Sequence, residues 1–188
     1  MQINSVTEGF NGCKDGAQIS AELTDMPLPY EIERKFLIEY PDIAWLDSLP
    51  ECEKTEITQT YLRSENVEER RVRKRGINGS FTCCFTSKRK VTDIRRVEVE
   101  RIITEEEYRN YLNDADETKR QLSKTRYCLP HGDLCIEIDV YPFWDDRAIL
   151  EIELADENTE ITFPKEISVI REVTSDPSYK NSALASVK

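Results

Sequence analysis

The segment Tyr30–Tyr40 reads Y-E-I-E-R-K-F-L-I-E-Y and alternates between charged and mostly apolar side chains. Successive side chains of an extended strand point to opposite faces, so Glu31, Glu33 and Lys35 share one face. The other face is largely apolar and consists of Ile32, Arg34, Phe36 and Ile38. The segment therefore predicts a strand with one ionised face and one largely apolar face.

Later segments repeat this alternation. It predicts further strands at Glu56–Arg63, Glu69–Arg75, Ser80–Lys88, Arg95–Ile103, Ser123–Cys128, Leu134–Tyr141 and Ala148–Leu154, and a last strand at Ile167–Thr174. Asn78-Gly79 is typical of a tight hairpin. Short helices are expected at Pro41–Leu49, Glu105–Leu112, Asp156–Phe163 and Tyr179–Ser186, the second of them beginning with a capping box at Thr104.

Composition limits the classes of function. The chain has 188 residues and a net charge of −11, which argues against general binding to nucleic acid or to anionic membranes. No apolar run approaches the length of about 20 residues that spans a bilayer. The first 29 residues lack the pattern of a secretory signal and are expected to form a poorly ordered leader to a single domain, 30–188. We therefore expect a cytoplasmic protein whose six cysteines are reduced.

The charged faces of the predicted strands carry both signs of charge. Their carboxylates are Glu31, Glu33, Glu98, Glu100, Glu137, Asp139, Glu151 and Glu153, and their cations are Lys35, Arg71, Arg73, Arg75, Lys88, Arg96, Lys124 and Arg126. One interpretation is an ordinary antiparallel sheet with a solvated face. Charge at position after position, and the like charges of Arg71, Arg73 and Arg75 side by side, favour a different one.

In that second interpretation the strands close into an antiparallel β-barrel whose charged faces line a water-filled lumen. Arginine and lysine bind phosphate oxygens, and arginine does so in bidentate fashion. Carboxylates two residues apart on a strand converge on hard divalent cations, which prefer oxygen ligands. Cations and carboxylates together therefore indicate a site for a metal–polyphosphate complex.

The ordered motifs resemble those of the triphosphate tunnel metalloenzymes, also called CYTH proteins. Glu31-Ile32-Glu33-Arg34-Lys35 resembles the Glu-x-Glu-x-Lys signature of the family, and the similarity continues from about residue 30 to residue 184. The other similar motifs are Gln59-Thr60-Tyr61-Leu62, Arg71-Val72-Arg73, Thr86-Ser87-Lys88, Arg96 to Glu100, Lys124-Thr125-Arg126-Tyr127, Glu137-Ile138-Asp139-Val140, Glu151-Ile152-Glu153 and Tyr179-Lys180-Asn181.

The resemblance implies a mainly β (α+β) fold: an eight-stranded closed antiparallel β-barrel forming a charged tunnel, with a few short outer helices. It implies hydrolysis or rearrangement of triphosphates with Mg²⁺ or Mn²⁺ at a two-metal site. One metal would be held by Glu31, Glu33 and Glu153, and the second by Glu98 or Glu100 with Asp139 and Glu151. The phosphates would be held by Arg71, Arg73, Lys88, Arg96, Lys124, Arg126 and Lys180.

Activation of water is the part of the mechanism that the resemblance leaves open. Lys35 with Tyr61 is one candidate to orient or deprotonate water, since a lysine among cations is expected to have a lowered pKa. A metal-bound water alone is the other candidate. The chain also departs from the family in having Ser178 where many members have arginine, so one phosphate contact is either missing or supplied by Arg75.

The sequence thus predicts a metal-dependent triphosphatase that hydrolyses inorganic tripolyphosphate, with nucleoside triphosphates as a second substrate class. Two alternatives stay open: an adenylate cyclase of the class IV type on the same fold, and a non-catalytic module that binds polyphosphate or nucleotide. Either a monomer or a homodimer is compatible with the sequence.

Overall fold

The computed structural model describes residues 32–64, 68–90, 96–156 and 158–187, with residues 90 and 96–98 described by their backbone only. The described residues form nine strands: β1 (Ile32–Glu39), β2 (Glu53–Leu62), β3 (Glu68–Ile77), β4 (Ser80–Lys90), β5 (Arg96–Ile103), β6 (Leu122–His131), β7 (Leu134–Val140), β8 (Arg147–Leu154) and β9 (Val169–Glu172). The helices are α1 (Ile43–Ser48), α2 (Glu105–Leu112), a 3-10 helix (Pro177–Tyr179) and α3 (Asn181–Leu184).

All nine strands belong to one antiparallel sheet in the order β5-β4-β3-β2-β6-β7-β8-β1-β9. The predicted mainly β fold with a few short helices is confirmed. The described residues contain nine strands rather than the eight that the family resemblance implied, because the four residues of β9 pair with Phe36, Leu37 and Ile38 of β1. β5 and β9 are the end strands, and no ladder joins them among the residues described above.

Two hairpins lie at the same end of the sheet, which we call the hairpin end. In the β3–β4 hairpin Ile77 pairs with Ser80, and both Asn78 (φ 53°) and Gly79 (φ 84°) have the positive φ that this turn requires. In the β6–β7 hairpin His131 pairs with Leu134. Both hairpins flank the start of β2, since β3 and β6 are its two neighbours.

Apolar side chains on the outer face of the sheet bury against helices. Leu46 of α1 packs against Phe36, Ile38 and other side chains of β1, β6, β7 and β8. Tyr108 of α2 packs against Leu62 and other side chains of β2, β3, β4 and β5. The predicted capping box starts α2, because Thr104 accepts a hydrogen bond from the Glu107 backbone while Glu107 accepts one from the Thr104 backbone.

The other face, called the inner face below, carries the predicted charges. Strand registers place on it Glu33, Lys35, Gln59, Tyr61, Arg71, Arg73, Arg75, Thr86, Lys88, Glu100, Lys124, Arg126, Glu137, Asp139, Glu151 and Glu153. At the end away from the hairpins it becomes apolar, where Leu37, Leu122 and Ile149 pack with residues of the C-terminal segment such as Tyr179 and Leu184. The inner face is therefore ionic towards the hairpin end and apolar at the opposite end.

Two local predictions differ from the structure. The helix predicted at Asp156–Phe163 is wrong: Asp156 accepts hydrogen bonds from Asn158 and so forms a turn, after which the chain lays Ile161 and Phe163 on the outer core. The helix predicted at Tyr179–Ser186 is divided at Lys180, which ends the 3-10 helix and begins α3. The expected leader lies outside the described residues. Within the described part of the chain, no helix combines the length and the apolar character needed to cross a bilayer.

We expect Leu46→Ala to lower the free energy of unfolding by about 2–5 kcal/mol, because Leu46 is fully buried and its loss leaves a cavity under α1. Urea denaturation at equilibrium measures this change. The matched control Ala44→Gln alters an exposed position of the same helix and is expected to stay within about 0.5 kcal/mol of wild type. Equal loss in both variants would contradict the packing described for α1.

Candidate active site

The guanidinium of Arg126 joins three carboxylates of two neighbouring strands. Its Nε lies 2.7 Å from Asp139 Oδ1, and its Nη2 lies 2.7 Å from Asp139 Oδ2 and 2.6 Å from Glu151 Oε2. Its Nη1 donates to Glu137. Attraction to these carboxylates outweighs the cost of burial and raises the pKa of Arg126 well above its usual value. Arg126 therefore stays charged and fixes the three acids relative to one another.

Two lysines complete this cluster. The ammonium of Lys35 lies 2.6 Å from Glu151 Oε1 and 3.5 Å from Glu33 Oε1, while Lys124 bonds to Asp139. Burial and the Lys35 and Arg126 cations act in opposite directions on Glu151, and the cations prevail to hold its pKa well below the usual value. Glu151 is therefore an ionised carboxylate shared between two cations.

The pKa values of the two lysines shift in opposite directions, and the lowered pKa predicted for Lys35 is wrong. Burial lowers the pKa of Lys35, but the Glu151 and Glu33 carboxylates outweigh it, so that the value is raised rather than lowered. The lowered value belongs to Lys124, whose pKa falls to about 8 because it is buried and lies near Arg126. The surroundings of Lys35 are carboxylates, not the ring of cations that was expected.

A second group of cations lies on β3. The Nη2 atoms of Arg73 and Arg75 lie 3.5 Å and 3.7 Å from the Glu100 carboxylate, which also accepts a 3.0 Å hydrogen bond from Thr86. Burial, and then the neighbouring Arg71, lowers the pKa of Arg73 to about 10. The Nε atom of Arg73 is buried with no hydrogen-bond partner. β3 thus presents closely spaced guanidinium groups. Two of them, those of Arg73 and Arg75, share the carboxylate of Glu100.

Tyr61 and Gln59 lie between these two groups on the inner face. Burial is the main cause that raises the pKa of Tyr61, so its hydroxyl is neutral at pH 7. Gln59 is 1% exposed and donates a 2.9 Å hydrogen bond to the Tyr61 oxygen. No role was predicted for Gln59, for Thr86 or for the Glu137–Arg126 contact. Strand alternation and the motifs that contain these residues were the signals that could have found them.

The remaining predicted residues are less fully described. Lys88 lies on the inner face of β4, Glu153 lies on β8 opposite Glu33, and Lys180 lies between the 3-10 helix and α3. Arg96 and Glu98 occupy strand β5, but their side chains are outside the described residues, as is Glu31. The structure thus places the described site residues of β1, β3, β5, β6, β7 and β8 on one face of the sheet.

The carboxylates of this face suit a hard divalent cation in chemistry. They supply oxygen donors alone, and Glu33 and Glu153 are direct partners across β1 and β8. Within the described residues, no three His, Cys, Asp or Glu side chains are arranged as a ready metal site. The acids are bonded to Lys35, Lys124 and Arg126 instead, so a metal would compete with these cations for the same oxygens.

Comparison with known proteins places this site in a family. The model of the CYTH domain matches residues 29–174, which contain all nine strands. The chain belongs to the CYTH domain family. The triphosphate tunnel metalloenzymes of this family are metal-dependent. The resemblance inferred from the sequence motifs is confirmed.

Solved structures agree with this assignment. The chain is similar to a crystal structure described as the inorganic triphosphatase NE1496, with 28% identity over 82% of this chain and 93% of that chain and a TM-score of 0.53. It also resembles a conserved hypothetical protein from Pyrococcus furiosus at 18% identity, over 68% of this chain and 80% of that chain, with a TM-score of 0.50. The second likeness concerns the fold alone. No curated protein matches the chain.

We expect Arg126→Met to destabilise the fold by about 3–5 kcal/mol, because the buried carboxylates of Asp139 and Glu151 would lose the cation that they share with Glu137. Chemical denaturation measures the change. Arg147→Met is the matched control, since Arg147 pairs with Asp146 at the surface, and we expect no measurable loss. A stable Arg126→Met protein would show that the guanidinium of Arg126 does not hold the inner face together.

Proposed function

We propose that the inner face binds and hydrolyses a triphosphate with the help of a divalent metal. The observation that carries this proposal is the group of arginines on β3, in which Arg73 lies beside the buried Arg71 and its Nε atom is buried with no hydrogen-bond partner among the described residues. Burial and the neighbouring Arg71 lower the pKa of Arg73 to about 10. Crowding buried cations costs free energy unless an anion is bound between them. A chain of phosphates offers several oxygens to such a row, and arginine matches them in bidentate geometry.

Inorganic tripolyphosphate is the substrate that we propose first. Support comes from the 28% identical structure, which is described as an inorganic triphosphatase. The described inner face around Arg73, Lys124 and Glu151 is built mostly of charged and polar side chains, which suits a small anion rich in charge. Nucleoside triphosphates carry the same phosphate chain and form the second substrate class to be tested.

The cations of the inner face would bind and neutralise the phosphates. As one phosphoryl group is transferred, negative charge builds up on the oxygens of the leaving group. Arg71, Arg73 and Lys124 are fixed by their strands before the substrate arrives, so their charges need little reorganisation in the transition state. We assign the phosphate-binding role to Arg71, Arg73, Arg75, Lys88, Arg96, Lys124, Arg126 and Lys180.

The carboxylates would hold the metal. We assign Glu31, Glu33 and Glu153 to one ion and Glu98 or Glu100, Asp139 and Glu151 to a second, with Mg²⁺ and Mn²⁺ as the candidates. When bound, such ions supply charge neutralisation for the phosphates and acidify water. We assign to Lys35, which lies between Glu33 and Glu151, and to Tyr61 the role of orienting water by hydrogen bonds.

The proposed activity predicts phosphate release from tripolyphosphate in the presence of Mg²⁺ or Mn²⁺ and none after the metal is chelated. The experiment compares tripolyphosphate, ATP and thiamine triphosphate and analyses both phosphate and pyrophosphate. Cyclic AMP with pyrophosphate from ATP would instead establish a cyclase, and binding without any product would establish a non-catalytic module.

Arg73→Met is expected to lower kcat/KM for tripolyphosphate by about 10- to 100-fold, the equivalent of a lost hydrogen bond to a charged group. Arg34→Met is the matched control, because Arg34 lies on the outer face of β1 in a pair with Glu172. We expect it to keep the wild-type rate. If both variants had the same rate, the β3 cations would not be the phosphate site.

The metal assignment predicts that Glu153→Gln raises the Mn²⁺ concentration needed for half-maximal rate and weakens Mn²⁺ binding measured by electron paramagnetic resonance. The spectroscopic titration is independent of turnover. Glu172→Gln serves as the control, since Glu172 is an outer-face carboxylate that bonds to Arg34 and Thr174. Unchanged Mn²⁺ binding in Glu153→Gln would remove this residue from the metal site.

A further inference from the structure

Two cysteines lie side by side at the hairpin end of the inner face. Cys128 of β6 is the strand partner of Glu137, and Cys135 of β7 is the partner of Pro130. Cys128 follows Arg126 by two residues and Cys135 precedes Glu137 by two, so both thiols lie on the inner face, at diagonal positions of one hairpin. Diagonal neighbours across antiparallel strands are close enough for side chains to interact.

The two thiols differ in exposure. Cys135 is exposed to solvent, whereas Cys128 is half-buried with its Sγ 4.0 Å from Glu137 Oε1. Hydrogen bonding from the Cys128 thiol lowers the pKa of the Cys135 thiol, and the nearby Arg126 acts in the same direction. Burial opposes this effect, and Glu137 and Glu53 do so as well. An accessible thiol with a second thiol beside it is the arrangement found in reversible redox sites.

We propose that Cys128 and Cys135 form a peroxide-responsive disulfide at the hairpin end of the inner face. The thiolate of Cys135 attacks one oxygen of hydrogen peroxide, forming an S–O bond as the O–O bond breaks, and the departing hydroxide takes up a proton to become water. The sulfur of Cys128 then attacks the sulfenic acid, forming the S–S bond, while the S–O bond breaks and the oxygen leaves as a second water. Two thiols are oxidised and one peroxide is reduced.

The position of Cys128 connects this chemistry to the site. Its sulfur contacts Glu137, and Glu137 bonds to Arg126. The same guanidinium holds Asp139 and Glu151 at 2.7 Å and 2.6 Å. Movement of Cys128 towards Cys135 would break the contact between Cys128 and Glu137. Displacement of Glu137 would in turn disturb the Arg126 guanidinium that orders the carboxylates of Asp139 and Glu151. The disulfide is therefore expected to slow turnover, a consequence that rests on the proposed triphosphatase function.

Other thiols provide the controls. Cys135 lies near enough to Cys52 to contribute, after burial and Asp47, to the raised pKa of the Cys52 thiol, so Cys52 is the competing partner. Cys83 and Cys84 are buried next to each other on opposite faces of β4, which keeps their side chains apart. Cys52→Ser should thus leave the Cys128–Cys135 disulfide intact, while Cys135→Ser and Cys128→Ser should each abolish it.

The test treats the folded full-length protein with hydrogen peroxide, blocks free thiols with a maleimide and maps disulfides by mass spectrometry. We expect a Cys128–Cys135 disulfide in wild type and Cys52→Ser, with a several-fold loss of tripolyphosphatase rate that dithiothreitol restores. Cys135→Ser should keep its rate under the same treatment.

Absence of that disulfide, its replacement by a Cys52–Cys135 bond, or a disulfide that leaves the rate unchanged would each overturn the proposal. Reduced protein that never hydrolyses tripolyphosphate would instead reject the proposed function. Mapping of the disulfide does not depend on turnover, so the two failures are distinguished.

Discussion

The guanidinium of Arg126 and the carboxylates of Asp139, Glu137 and Glu151 form the interaction on which the inner face depends. Three acids on adjacent strands would repel one another if they were left together in a partly dry space. The fork of Arg126 binds all three, and Lys35 and Lys124 bind the same acids from the sides. This network lets the sheet bury charge on one face while its other face packs apolar side chains under α1 and α2.

The network also determines which charges a bound ligand would compensate. Asp139, Glu137 and Glu151 already pair with lysine or arginine, whereas the carboxylate contacts of Arg73 and Arg75, among the described residues, are those with Glu100 at 3.5 Å and 3.7 Å. A phosphate chain would satisfy the β3 cations, and a divalent metal would take over carboxylate oxygens now bonded to lysine and arginine. Metal and phosphate would therefore bind as mutually dependent partners, because each supplies the charge that the other leaves uncompensated.

Much of this arrangement is encoded in local alternation. The faces of Glu33, Lys35, Arg73 and Glu151 follow from period two alone, and the turn at Asn78-Gly79 and the cap at Thr104 follow from short-range chemistry. The partners of Arg126 do not follow, because Glu151 comes from β8, which is not a sequence neighbour of β6. The prediction of a lowered pKa for Lys35 was wrong for the same reason. The direction of the pKa shift depends on the acids that the pairing of β1 with β8 brings near Lys35, and strand pairing is a long-range property. The turn at Asp156 replaced a helix because an Asp side chain bonding to the backbone offers an alternative to the helical pattern.

The most direct measurement is a crystal structure of the protein with Mn²⁺ and the non-hydrolysable imidotriphosphate, with the anomalous signal of manganese locating the ion. The account predicts phosphate oxygens against Arg73 on β3 and manganese beside the carboxylates of β1 and β8, both on the inner face. Phosphate or manganese bound on the outer face, or at the apolar end beside Tyr179 and Leu184 without contact to these strands, would contradict it.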